Sequence, residues 1–236
     1  MVECDLAKVD VAGSNPVSRS KVSPRCNPMR NSLLFFVLAT GVAFGQYKME
    51  PAGAPPSDLA PALASTLQQQ GVKITAPGGA LYCEVWLRTQ APSGAKSTDD
   101  AVVLPTIPQG ALLGVIRFAG PAQDRRGQPV KAGLYTMRYS QYPVNGDHQG
   151  VAPQRDFALL VPAGEDKDPN SNPNFDALVA LSVKASGTPH PAVLSIWNSS
   201  ADKFPTFSKQ GDHDWVLEAK MGDLAISIIL VGKVEG

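Results

Sequence analysis

Residues 224–231 read Leu-Ala-Ile-Ser-Ile-Ile-Leu-Val, eight positions with one hydroxyl and no charge. A run this short, bounded by turn residues and rich in β-branched side chains, reads as a strand. One so apolar belongs in the centre of a sheet. Working outward, the chain from residue 72 onward repeats the texture: short apolar or alternating runs punctuated by Pro, Gly, Asn and Asp. The pattern predicts strands over 72–75, 80–88, 112–118, 133–139, 157–162, 178–183, 192–197, 214–219 and 224–231. One helix is expected over 57–70, where Ser57 or Asp58 can cap, Pro61 fits the first turn, Leu59, Leu63 and Leu67 share a stripe, and Gly71 supplies the stop. Nine strands and one helix predict a mainly β protein, a single antiparallel β-sandwich or jelly-roll-like domain over 57–236.

Three connections exceed what a hairpin needs: 89–107, 140–155 and 163–175. The first contains SGAKSTDD (93–100), a composition that favours disorder. The third contains EDKDPNSN (165–172), acidic and rich in oxygen ligands. It is only loosely similar to a calcium loop, because it lacks the turn glycine and closing glutamate of an EF-hand, so it reads as a solvated acidic loop.

The N-terminal region carries an address. Met29 and Arg30 precede the apolar run LLFFVLATGV (33–42), and Ala43-Phe44-Gly45 offers a small-x-small cleavage site before Gln46. Residues 29–45 therefore read as a signal peptide, and the protein as exported, periplasmic or extracellular. The apolar run is short of the roughly 20 residues a membrane span requires, so no transmembrane span is expected after signal removal. Residues 11–19, VAGSNPVSR, resemble the translated T-arm of a transfer-RNA gene. Residues 1–28 accordingly read as a start-site error with no fold of their own, and 46–56 (QYKMEPAGAPP) as a Pro- and Gly-rich tether.

Composition narrows the function. Lys+Arg and Asp+Glu are both 21, so the net charge is zero and no basic footprint for nucleic acid exists. Cys4 and Cys26 fall in the leader, which leaves Cys83 alone in the mature chain; no intramolecular disulfide can form there, and Cys83 reads as a buried, inert thiol.

One local signal repeats: Gly146-Asp147-His148 and Gly211-Asp212-His213. Imidazole beside carboxylate can ligate a divalent metal, or the carboxylate can orient a histidine acting as general base. Asp147, His148, Asp212 and His213 are the candidate metal residues, with Glu84, Asp214 and Glu218 as further carboxylates. The same tripeptide is also ordinary turn composition. No Gly-x-Ser-x-Gly elbow, His-Glu-x-x-His pair, P-loop or dinucleotide fingerprint occurs, which lowers the expectation of an enzyme. Aromatics give another route: Tyr135, Met137 and Tyr139 share one strand face, and Tyr139, Tyr142 and Trp215 are candidate ligand-binding rings, against the alternative that the aromatics simply pack. Asn198-Ser199-Ser200 is a formal glycosylation sequon.

The segment 130–136, VKAGLYT, preceded by Gly127-Gln128 and followed by a strand, resembles a hairpin found in several exported bacterial β-sandwich families of unknown function. The resemblance implies the fold and no activity. The expected function is a non-enzymatic binding or envelope-interaction module whose partner is a small ligand, a glycan or an envelope protein, with no cofactor. The alternatives are a metal-binding protein or metal-dependent hydrolase built on His148 and His213, and a purely structural envelope module.

Overall fold

A computed structural model describes residues 46–99, 101–142 and 154–233. The segments expected as leader (1–28) and signal peptide (29–45) lie outside the described residues, as do Asp147 and His148. The strands are β1 (Lys48–Pro51), β2 (Val72–Thr75), β3 (Leu81–Leu87), β4 (Leu112–Phe118), β5 (Ala122–Gln123), β6 (Pro129–Val130), β7 (Gly133–Gln141), β8 (Asp156–Pro162), β9 (Val193–Asn198), β10 (Thr206–Gln210), β11 (Asp214–Met221) and β12 (Leu224–Val231). The helices are α1 (Pro61–Ala64) and α2 (Phe175–Ser186).

Ten strands form one antiparallel sheet in the order β1-β2-β3-β4-β7-β8-β9-β12-β11-β10, with β5 and β6 as a separate hairpin. The chain meanders from β1 to β9, crosses to the far edge as β10, and meanders back until β12 lies against β9. The apolar run 224–231 thus occupies an inner position, as its composition predicts. The sheet is nearly closed into a barrel. Its inward positions merge into one core that includes Ile74, Val85, Ile116, Met137, Leu160 and Ile228. Tyr135 and Tyr139 face inward with Met137, as the period-2 reading expects, and Cys83 is fully buried, its thiol pKa pushed up by burial.

Two outer layers cover the sheet. Residues 57–70 were expected to be helical along their length, but only α1 is. Ser65 Oγ and Thr66 Oγ1 donate to the carbonyls of Ala62 (2.9 Å) and Leu63 (2.8 Å), local bonds that compete with further helix. The leucine stripe still works as predicted: Leu59, Leu63 and Leu67 pack with Trp86, Leu112 and Val115 on the outside of β3 and β4. The second layer corrects a sequence expectation, because residues 178–183 are not a strand but part of α2. Asn174 caps this helix by accepting from the Ala177 N–H at 2.9 Å, Lys184 stands in the last turn, and Gly187 ends it at φ 71°. Tertiary context decided the case. Leu178 is buried with Phe157, Leu159 and Val193 on the outside of β8, a site for a helix stripe.

The expected tether is corrected too. Residues 46–56 contribute β1, which pairs with β2 in the register Lys48–Thr75 to Pro51–Val72. Tyr47 explains why: its ring packs against those of Tyr82 (5.8 Å between centroids), Phe207 (6.4 Å) and Trp215 (5.3 Å), so a segment without hydrophobic period is anchored by one aromatic at its start.

Candidate functional site

Strands β1 and β10 are the two edges of the sheet, and the near-closure brings them to face one another. They form no ladder with each other, and each has one neighbour, β2 or β11. An antiparallel edge strand turns every second N–H and C=O away from its single partner, so both edges present backbone polar groups to the gap. At one end the gap is shut by the rings of Tyr47, Phe207 and Trp215. Toward Pro51 and Pro205 it opens into a cleft of about 520 Å³. That size lies within the ~300–1,000 Å³ of small-molecule sites.

The cleft floor is made of inward positions of the sheet: Met49, Val72, Val85, Leu87, Leu217 and Ala219. The rim is polar and sparse, with Glu50, Gln68, Gln70 and Lys220 beside the ring of Phe204. Gln68 ties the two walls together, its Nε2 donating to the carbonyls of Arg88 (3.1 Å) and Lys220 (2.7 Å). Gly71 is required here, because a Cβ at this position would lie 2.5 Å from Trp86 Nε1 and 2.6 Å from the Val85 carbonyl oxygen. Glu50 pairs with Lys73 at 2.9 Å, which holds the Glu50 carboxyl below its ordinary range and lifts the Lys73 ammonium above its own. Lys220 stands with its ammonium 5.0 Å from the Phe204 ring centroid. A nearly aliphatic floor with one loosely held cation at its mouth can bind an apolar body; it offers no nucleophile paired with a base.

The sequence-derived candidates are elsewhere. Asp212 and His213 sit exposed in the tight turn between β10 and β11, where Gly211 takes φ 60°. Their neighbour Asp214 is engaged by Arg125 Nε at 3.0 and 3.1 Å. Among the described residues no group of three or more His, Cys, Asp or Glu side chains could hold a metal ion. Glu84 and Glu218 do not join His213 in such a group; Glu218 accepts from Ser199 Oγ at 2.7 Å.

The three candidate rings do not form a platform. Tyr139 is fully buried, its hydroxyl donating to Asp156 at 2.7 Å, and burial together with that carboxylate pushes its pKa well up. Tyr142 is buried in a stack on Phe157, with centroids 4.2 Å apart. Trp215 is half-buried in the aromatic closure of the gap. For Tyr139 the cause is physical: strand parity puts it on the inner face, in a part of the core closed to solvent.

Three buried carboxylates escaped the sequence reading, and each holds a loop. Asp156 accepts from the N–H groups of Val103 and Leu104, both at 2.9 Å, and fastens the 89–111 connection. Asp124 accepts from the Arg126 and Gln128 N–H groups at 2.9 and 3.0 Å, shaping the β5–β6 turn in which Gly127 adopts φ 82°. Asp166 turns inward from the acidic loop, which is thus not simply solvated. Arg138 meets it with two charge-assisted bonds, Nε to Oδ2 at 2.7 Å and Nη2 to Oδ1 at 2.6 Å. The same guanidinium donates to the carbonyls of Gly110 (3.1 Å), Ser171 (2.7 Å) and Asp168 (2.6 Å). The loop's oxygens converge on arginine, which stands where the calcium comparison would put a cation. Composition alone carried one clue, an arginine as the single charged residue of its strand.

No family model matches the chain, and no curated protein and no solved structure matches it.

Proposed function

We propose that the chain is an exported, non-enzymatic binding module that takes a small ligand with an apolar body into the cleft between β1–β2 and β10–β11. The observation that carries this reading is the open seam itself: inward core positions such as Val85, Leu87, Leu217 and Ala219 line a cleft where the two edge strands part. In this reading the sheet is a barrel split along one seam and not a two-layer sandwich, which the single inner core supports. A small ligand is favoured over a glycan because the floor is aliphatic and the candidate platform rings are packed away.

Titration with the neutral dye N-phenyl-1-naphthylamine tests the reading. Saturable fluorescence enhancement is expected in the parent. Ala219→Phe, which places a ring on the floor, should abolish the enhancement at unchanged melting temperature. No enhancement in the parent, or equal enhancement in the filled variant, would overturn it. Export is tested separately by intact mass after secretion from a bacterial host: a chain starting at Gln46 is expected, and one retaining earlier residues refutes the processing scheme.

A further inference from the structure

Resting on the cleft-binding reading, the mouth of the cleft narrows the ligand's chemistry. Four polar residues line the cleft, and three are already committed or uncharged. Glu50 is neutralised by Lys73 at 2.9 Å. The two N–H donors of Gln68 are spent on the carbonyls of Arg88 and Lys220, and Gln70 carries no charge. Lys220 differs. Among the described residues it forms no ion pair, and its ammonium lies 5.0 Å from the ring centroid of Phe204, which also lines the cleft. Glu218, two positions back on the same strand face, is occupied by the hydroxyls of Ser199 at 2.7 Å and Ser227 at 3.4 Å.

We infer that the cleft's ligand is an amphiphile with a single carboxylate head, a medium-chain fatty acid, whose chain lies on the aliphatic floor and whose head meets Lys220. The charge pattern selects this class. A cationic head would meet the ammonium as a like charge, and a neutral alcohol would gain nothing from it. A carboxylate finds an ammonium without an anionic partner, poised beside an aromatic ring. The floor supplies the affinity and Lys220 the preference among heads, the usual division in an apolar site with few polar groups.

The test is displacement of N-phenyl-1-naphthylamine by dodecanoate, dodecanol and dodecylammonium, each below its micelle concentration, on the parent, Lys220→Met and Lys220→Glu. In the parent, dodecanoate should bind about threefold to fivefold tighter than dodecanol, with the preference shrinking as salt is added. Lys220→Met should equalise the two, and Lys220→Glu should turn the preference toward dodecylammonium. The Gln68 bond to position 220 uses the backbone carbonyl and survives both changes. Equal displacement by all three heads, indifferent to residue 220, overturns the carboxylate assignment and leaves the cleft reading standing. A dye signal that Ala219→Phe does not touch overturns both.

Discussion

Around Arg138 and along the seam, the same sheet is finished in opposite ways. At Arg138 a fully buried guanidinium satisfies a carboxylate and three backbone carbonyls, and the loop over it has one arrangement that meets every group. At the seam two strand edges face each other without a ladder, held by packed rings at one end and a glutamine amide at the other. The difference lies in what rearrangement costs. Parting buried polar partners leaves desolvated charge, whereas parting apolar walls loses only a modest contact area. A fold built this way can keep its outer loops fixed and still yield along one line, which is what the proposed binding reading requires.

Alkaline titration probes both regions at once and should give the largest effect. All five tyrosines have pKa values raised above the ordinary value near 10, in each case chiefly by burial: Tyr47, Tyr82, Tyr135 and Tyr139 in the shared core and closure, Tyr142 in the outer cluster under α2. The folded chain therefore holds phenol protons that the unfolded chain releases near pH 10. Stability is complete below that pH and falls as pH rises toward the native values. Absorbance at 295 nm should stay flat through pH 10 and then rise together with loss of the tryptophan signal. Five phenols ionising near pH 10 in an intact fold would break the picture. Two ionising early, at Tyr47 and Tyr82, would sharpen it by marking the seam as the looser region.

Arg138→Met attacks the fixed side alone. It leaves Asp166 buried with no counter-charge and several carbonyls without a donor, which should cost about 3–5 kcal/mol. Urea unfolding measures it, and Arg138→Met/Asp166→Leu should recover part of the loss by removing the stranded carboxylate. A single-variant loss below about 1 kcal/mol would mean the clamp behaves as a surface pair and the contrast is false.

The contrast also separates what was legible in the sequence. Strand alternation and punctuation revealed the sheet's interior members, because burial on one or both faces leaves a local mark; 224–231 and the Tyr135–Met137–Tyr139 face are examples. The leucine stripe at 59, 63 and 67 was likewise local, although the backbone under it was not, since hydroxyl back-bonding and docking on Trp86 override a periodic pattern. Helix α2 was misread because LVALSV has strand-like composition, despite Asn174 and Gly187 standing at cap positions. Strand β1 left no pattern, being one aromatic anchor and an edge pairing. The cleft was least legible of all. Its floor consists of ordinary core residues on four strands, and only the failure of β1 and β10 to join makes them a site. Arg138–Asp166 is a contact across 28 positions, and nothing in the spacing links its partners.

Gln68→Ala carries the smallest expected effect and discriminates most directly between stability and function at the seam. The side chain is half-buried and makes two neutral amide bonds to carbonyls that solvent can reach once it is gone, so the loss should be only about 0.5–1.5 kcal/mol. Its geometric consequence is larger, because it removes the hydrogen-bonded tie between the residues leading into β2 and the end of β11. Hydrogen exchange should quicken at β1 and β10 and stay unchanged at β7 and β8, and naphthylamine dye should leave the cleft faster while its association rate hardly alters. Uniform acceleration across the sheet would show that the two regions unfold as one unit. The seam would then be only an irregular edge of a rigid barrel, and the division between a fixed side and a yielding one would fail.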